Sequence, residues 1–394
     1  MANPVLEAIT QRADEISALG PSNEALCRLD DHAAKVLREA GVIRMLQPKI
    51  HGGFEFHPRD YAETIMKIAG LDGSTGWVAG VVGVHPWEMA FADPRVQQEI
   101  WGENQDTWIA SPYAPMGIAR PVDGGYVFNG RWQFSSGTDH CDWIFLGGML
   151  GDAEGKMAQP PVSLHLILPR SDYEIVEDSW NVVGLRGTGS KDIIVKDAFV
   201  PDYRVIPYNK VVDGSQAKEA GLTNPLYHLP FSAAFPLGIT ASVIGIAEGA
   251  LAHHMAYQKG RVQITGTRIK DDPYVLYAIS EAAAEIAAAR AALLDNASRM
   301  YDIVASGREV TFDERAVGRR TQVQAAWRAV RAMDEIVARS GGNAMRVDNP
   351  IQRFWRDAHV GLAHAIHVPG SVFHVSALTQ IGIEPPHGPM RSMI

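Results

Sequence analysis

Arg131-Trp132-Gln133-Phe134-Ser135-Ser136-Gly137-Thr138 decides how this chain is read. An aromatic, β-prone run ending in Ser-Ser-Gly reads as a strand delivered into a tight turn, with two hydroxyls at the bend. A second block, Trp180-Asn-Val-Val-Gly-Leu-Arg-Gly-Thr-Gly-Ser190, again gathers glycines and hydroxyls just ahead of the strand-like Asp192-Ile-Ile-Val195. Short runs of the same kind (Trp108-Ile-Ala-Ser-Pro112, Gly125-Tyr-Val-Phe-Asn-Gly130, Trp143-Ile-Phe-Leu146, Ser163-Leu-His-Leu-Ile-Leu168) fill the stretch from Thr107 to about Ile206. Bounded by Gly, Pro and Asp, they predict a compact β module of roughly six to eight strands.

The flanks read differently. Leu26, Leu29, Ala33, Leu37 and Ala40 recur at helical spacing, with Gly41 where a helix C-cap belongs. Segments 59–82 and 86–101 are helical in pattern, whereas 209–236 is irregular, with Gly and Pro scattered through it. From Leu237 onward the pattern is helical again, and Ala282 to Leu294 is dense in alanine, the best helix former. Glu281, Glu285 and Arg290 mark a solvated or inter-helix face there, and Val368-Pro369-Gly370 ends or kinks the last long helical pattern. The expected fold is α+β: an N-terminal helical domain (1–106), a central β domain (107–208) of barrel-like character and a C-terminal helical bundle (209–394).

Composition narrows the class. The chain has 394 residues, is 46% hydrophobic and 21% charged, and carries a net charge of −9. An acidic chain without a basic stripe argues against nucleic-acid binding. Two cysteines, Cys27 and Cys141, allow neither a disulfide framework nor a CxxC metal pattern. The N-terminal stretch Met1-Ala-Asn-Pro-Val-Leu6 lacks the charge and apolar run of a secretory leader, and no uninterrupted apolar run reaches membrane-spanning length. A cytoplasmic protein is expected.

Helices, a small β module, then more helices, punctuated by Trp132-x-x-x-Ser136-Gly137, Arg339-Ser-Gly-Gly342 and Arg356-Asp357, resembles the acyl-CoA dehydrogenase flavoprotein superfamily from end to end. The resemblance implies that the Trp-x-x-x-Ser-Gly segment lies along a flavin, with Trp108, Ser111, Ser135, Ser136 and Gly137 as contacts. Read by itself, the segment is a strand ending in a common turn. Tyr257-Gln-Lys-Gly-Arg261-Val-Gln263 is similar to a superfamily motif whose Arg and Gln hold the phosphate and adenine side of a flavin bound by a neighbouring subunit. Arginine suits that task because its planar fork donates two hydrogen bonds at once. Here Ile264-Thr-Gly replaces the family's Phe-Gly, which leaves FMN as compatible as FAD, and an exposed helix-end arginine is an equally open reading. Gly341 and Gly342 would let backbone approach a flavin from an adjacent subunit, or simply cap a helix.

One departure is decisive. Nine residues after Arg356, where the dehydrogenases carry their catalytic Glu, stands Ala365, beside His364. A flavin fold without its proton-abstracting carboxylate points to other flavin chemistry. The resemblance then narrows to the oxygenase components of two-component aromatic hydroxylases, in which His85, Ser136 and His364 match the residues around the reactive flavin atom, with Ser111 as a further polar wall. It implies a monooxygenase that takes FMN as FMNH2 from a separate NADH-dependent reductase, reacts it with O2 to a C4a-hydroperoxyflavin and ortho-hydroxylates a phenol to a catechol. The tail from Arg356 to Gly370 is most similar to oxygenases acting on a phenolic secosteroid in bacterial steroid and cholesterol breakdown. A homotetramer is expected from the family and from the alanine-rich helices. No G-x-G-x-x-G phosphate loop is present, in keeping with reduced flavin supplied from outside.

A base near the phenolic hydroxyl would make the ring a better nucleophile, and His85 or His364 is the candidate because histidine titrates near working pH. His85, in the apolar run Gly80-Val-Val-Gly-Val-His85-Pro, can also be a hydrogen-bonded core residue. His359, His364 and His367 lack the accompanying carboxylates of a metal site, and none is expected. The competing readings are an FAD-dependent acyl-CoA dehydrogenase with Glu248 or Glu281 standing in for the lost Glu, a flavin monooxygenase acting on a heteroatom, and a non-catalytic binding protein on the same fold.

Overall fold

The computed structural model describes residues 3–212 and 214–386 together with residues 388, 391 and 394. Met1 and Ala2, the start of the stretch read for a leader, lie outside the described residues, and from Asn3 that stretch caps and enters a helix. The N-terminal helices are α1 (Pro4–Gln11), α2 (Ala13–Leu26), α3 (Asp31–Ala40), α4 (Pro58–Leu71), α5 (Gly73–Val82), α6 (His85–Met89) and α7 (Pro94–Trp101). Their starts are written in the chain: Asn3, Asp30, Asp72 and Asp93 each accept a backbone N–H of the first turn, and Pro58 and Pro94 occupy first-turn positions that need no N–H.

Among the described residues, the β strands all fall between Ile109 and Pro207. They are β1 (Ile109–Ala110), β2 (Gly117–Val122), β3 (Gly125–Ser135), β4 (Trp143–Leu150), β5 (Ser163–Pro169), β6 (Glu174–Val176), β7 (Lys191–Pro201) and β8 (Val205–Pro207). They form one eight-stranded sheet in the order β6-β7-β3-β2-β4-β5-β8, with β1 added alongside β4. The two long strands, β3 and β7, pair antiparallel, with Trp132 opposite Ile193.

The remaining helices are α8 (Tyr208–Val212), α9 (Ser215–Glu219), α10 (Phe231–Gln258), α11 (Pro273–Ala305), α12 (Phe312–Ala338), α13 (Pro350–Leu362) and α14 (Pro369–Gln380). The axis of the molecule is α10, which packs against α4, α5, α11, α12 and α13. It is apolar on every side, as a helix surrounded by others must be, and although long enough to cross a membrane its apolar window is 89% buried within the chain.

Three sequence readings shift. The last helical lobe does not begin at Leu237: α10 starts at Phe231, with Pro236 inside it. A proline this near the helix start removes one backbone bond, and Phe231 and Phe235 stack at 4.9 Å within an aromatic cluster that holds this turn helical. The region 209–236 is correspondingly less irregular than its composition suggests, since α8, α9 and the start of α10 occupy it. Pro369 opens α14 at its first position, so the chain breaks at the turn before it, around 365–367.

Candidate active site

Strain re-aims the end of β3. Its ladder with β7 slips between Trp132 and Ser135. Phe134 there takes a left-handed φ of 69°, a conformation that costs a non-glycine residue about 1–2 kcal/mol. The bulge sends Phe134 to solvent and buries both Ser135 and Ser136. Gly137 follows at φ 71° against α5, where a Cβ would come 2.7 Å from Val78 Cγ1.

Ser136 sits in a directed chain of hydroxyls. Thr188 donates to the Leu185 carbonyl at 2.8 Å, so its Oγ1 accepts from Ser190, 2.6 Å away. Ser190 has then spent its proton, and Ser136, 2.7 Å from it, is the donor to Ser190. Trp77 Nε1–H donates to Ser136 Oγ at 3.1 Å. What remains to Ser136 is one acceptor lone pair. Next to it, Ser135 Oγ is buried with no hydrogen-bond partner.

The loop carrying Thr188 and Ser190 is held from the far end of the chain. Asp357 Oδ1 accepts the Leu185 N–H at 2.5 Å, Arg356 donates to the Val183 carbonyl, and the same guanidinium pairs with Glu24 at 2.7 Å. Burial pushes the Asp357 carboxyl up to about 7, against the opposing Leu185 hydrogen bond.

His85 is fully buried at the start of α6. Its Nδ1 lies 2.5 Å from the Ile109 carbonyl, which can only accept, so Nδ1 carries the proton. Nε2 is left with a lone pair and faces the Ser111 hydroxyl at 2.8 Å. Burial lowers this imidazole to about 4, partly countered by the Ile109 bond and the nearby Glu88 charge, so the ring is neutral at working pH. His364 is wired the other way. Its Nδ1 accepts the Ile366 N–H at 3.2 Å, which puts the proton of the neutral ring on Nε2. Burial and then the Arg319 charge lower it to about 4. The Trp77 ring lies 5.8 Å from the His364 ring, so Trp77 touches both Ser136 and His364.

The other residues singled out in the sequence fall apart from this cluster. Trp108 is wholly buried, with the Arg38 guanidinium 4.2 Å over its ring. Arg261 contacts the Arg339 carbonyl at 3.4 Å, and a Cβ on Gly341 would meet Arg261 Nη2 at 2.4 Å. Gln263 donates to Asp272, 2.5 Å away, and Gly342 has open space where a side chain would stand. This group lies beyond the C-terminal end of α10, while Phe231 and Phe235 at its other end pack around Tyr113 and His165. Ser136 bonds Trp77, which lies beside Ser242 and Val243 near the middle of α10, so at 1.5 Å per residue roughly 20 Å of helix separates it from Gln258. Arg261, Gln263, Gly341 and Gly342 therefore do not join Ser136 within one chain.

Neither Glu248 nor Glu281 stands in here for the dehydrogenase carboxylate. Glu248 faces Arg290 at 3.2 Å on the helical bundle, Glu281 accepts from Tyr277, and Ala365 is exposed. His359 pairs with Asp334, and His367 bonds Thr240 and the Gly361 carbonyl, which gives both structural partners. Sequence reading missed Trp77, Ser190 and the buried pair Glu88–His165. Ser190 ended the quoted block, and Glu88 stands one helical turn from His85, but neither spacing betrays a partner so far away in sequence.

The polar groups fit a flavin. A flavin edge offers N–H and carbonyl groups in one plane; the Ser136 lone pair supplies an acceptor, and the buried, unpartnered Ser135 hydroxyl is a further donor. Residues 237–369 match the family described as acyl-CoA dehydrogenase, C-terminal domain. The chain is 60% identical over 394 residues, the whole of both chains, to a pigment production hydroxylase of Rhodococcus erythropolis. It is 41% identical over 386 residues (98% of this chain, 97% of the other) to the flavin-dependent monooxygenase oxygenase subunit HsaA of Mycobacterium tuberculosis. Among solved structures, the 3-HSA hydroxylase of Rhodococcus sp. RHA1 superposes with a TM-score of 0.92 at 36% identity, covering 98% of each chain. The fold, the missing carboxylate and these relatives agree: the chain belongs to the flavin-dependent monooxygenases of acyl-CoA dehydrogenase fold, as the oxygenase component of a two-component aromatic hydroxylase that uses reduced flavin and O2.

Proposed function

We propose that this oxygenase ortho-hydroxylates a phenolic secosteroid to the catechol, using FMNH2 delivered by an NADH-dependent reductase in the cytoplasm. The substrate class rests on the HsaA and 3-HSA hydroxylase relatives, and its phenolic character on resorcinol and p-hydroxyphenylacetate hydroxylases that are 30% and 32% identical. The observation that carries the chemistry is the His85 tautomer: a neutral, buried imidazole with its Nε2 lone pair aimed at Ser111.

Bound reduced flavin supplies the two electrons with which O2 gives one oxygen atom to the ring and the other to water. The protein's part is the proton and the environment. Before the ring attacks, the phenolic proton passes to Ser111 Oγ while the Ser111 proton moves to His85 Nε2, leaving a phenolate and an imidazolium. Ser136, its proton held by Ser190, would accept an N–H of the bound flavin and so favour the reduced form that carries one. His364, protonated on Nε2, would donate to an oxygen of the bound flavin or substrate. Trp77 and the close packing of α5 against α10 would keep water from the bound flavin.

Because Arg261, Gln263, Gly341 and Gly342 stand roughly 20 Å or more along α10 from Ser136, they serve a flavin in a neighbouring copy, and the assembly is a homotetramer. The exposed Ile264, Tyr274 and Tyr277 beside Arg261 provide apolar surface for that contact.

The test is turnover of the phenolic secosteroid with an FMN reductase, NADH and isotopically labelled O2, with catechol and peroxide both measured. Labelled catechol in proportion to NADH supports the proposal. Peroxide alone, with the phenol recovered unchanged, overturns it. Turnover confined to non-steroid phenols would retain the chemistry and remove the substrate.

A further inference from the structure

Glu88 and His165 form a buried acid–imidazole pair that the hydroxylation scheme above does not use. Glu88 Oε1 and His165 Nδ1 are 2.5 Å apart, at 1% and 2% side-chain exposure. Glu88 Oε2 has no hydrogen-bond partner. A carboxylate left half-satisfied in the interior is costly and rarely kept for stability alone.

Its surroundings tie it to His85. Glu88 follows His85 by three residues on α6, so both project to one side of that short helix. Tyr113, beyond β1, stacks on His165 at 4.5 Å and meets the His85 ring edge-on at 5.6 Å. Tyr208 of α8 approaches His165 at 4.9 Å. Phe145 of β4 and Phe231 and Phe235 of α10 complete the wall and carry no charge. The titratable groups facing this space are therefore His85, Glu88, Tyr113, His165 and Tyr208. Burial, followed by the Glu88 charge, holds the Tyr113 phenol well above its ordinary range, and the same two causes raise Tyr208, so both stay protonated. His165 is the one ion-pair partner of Glu88 among the described residues.

We propose that Glu88, held in place by His165, is the counter-charge for His85: it offsets the imidazolium that forms when His85 takes the substrate's phenolic proton through Ser111. The proposal rests on the reading of His85 as the base. In the resting site the imidazole is neutral, and the Glu88 charge favours its protonation more than the neighbouring His165 opposes it. When the proton arrives, a positive charge appears in a low-dielectric interior, and the neighbouring carboxylate is the group that lowers its cost. Glu88 and His165 act through His85 and are positioning residues.

The test compares Glu88→Gln, Glu88→Asp and His85→Gln in the flavin-loaded enzyme. The ionised fraction of a bound phenol is read anaerobically from its phenolate absorbance, and hydroxylation is followed with ring-fluorinated phenols of increasing acidity. Glu88→Gln is expected to lower the ionised fraction at least about tenfold with little change in phenol affinity, and its deficit in hydroxylation should shrink as the phenol becomes more acidic. Glu88→Asp, which keeps the charge, should retain most of the ionisation although it fits the site less well than Gln. An unchanged ionised fraction in Glu88→Gln, with His85→Gln losing it, overturns the proposal and leaves the base reading intact. Retention in His85→Gln overturns both. If Glu88→Gln does not fold, loss of ionisation in a folded Glu88→Asp overturns the proposal instead.

Discussion

Asp357 Oδ1 accepts the backbone N–H of Leu185 at 2.5 Å, across 172 positions of sequence. Through that bond the late helix α13 fixes the loop whose Leu185 carbonyl takes the proton of Thr188, and so orients Ser190 and finally Ser136. The Arg356-Asp357 pair thus acts on the site through four residues without entering it.

Removing the acceptor should be expensive. Asp357→Ala leaves the Leu185 N–H buried and unpaired and is expected to lower stability by about 1–3 kcal/mol, measured by urea unfolding. Asp357→Asn keeps an acceptor oxygen and removes a titration. The folded carboxyl titrates at about 7, against about 4 when unfolded. Between those values the unfolded chain has released a proton that the folded chain retains, so this group's contribution falls as pH rises from about 4 to about 7 and is flat above. Unfolding midpoints at pH 5 and pH 8 should therefore differ less in Asp357→Asn than in the parent, and an equal difference would remove the assignment.

Ser190→Ala takes away the acceptor for the Ser136 proton. Ser136 can then rotate and donate as well as accept, and its preference for a flavin bearing N–H is lost. The ratio of oxidised to reduced FMN dissociation constants, measured anaerobically by calorimetry, is expected to fall by about fivefold, the value of one hydrogen bond.

The His85 imidazole is lowered to about 4 and must be neutral to accept a proton. Coupling of O2 consumption to catechol should accordingly be level from pH 6 to pH 8 and decline only as pH approaches about 4. His85→Gln is expected to lower catechol formation about a hundredfold while flavin binding is retained. An acidic limb centred near the ordinary histidine value would count against His85 as the base.

Gly341 has φ 75° and lies against Arg261. Gly341→Ala strains the backbone and displaces that guanidinium, so flavin affinity should weaken while the ratio of catechol to peroxide at saturating flavin stays unchanged. A change in that ratio would place Gly341 in the reacting site.

The sequence alone determined the layout. Alternation and turn residues between Thr107 and Ile206 specify strands and helical periodicity specifies the flanks, because each is a local property of consecutive residues, while Ala365 was legible as a lost carboxylate through the family resemblance. Ser136, His85 and His364 were legible as polar residues in unusual settings, but their roles were not. Only the tertiary structure decided which histidine nitrogen carries the proton, since that depends on the Ile109 carbonyl and the Ile366 N–H. It likewise decided that Ser136 is an acceptor, that Glu88 meets His165 across 77 positions, and that the Arg261 group lies at the far end of α10. These are relations between groups distant in sequence, where hydrogen-bond direction and charge are set by whatever the fold brings alongside, and no periodicity in the chain encodes them.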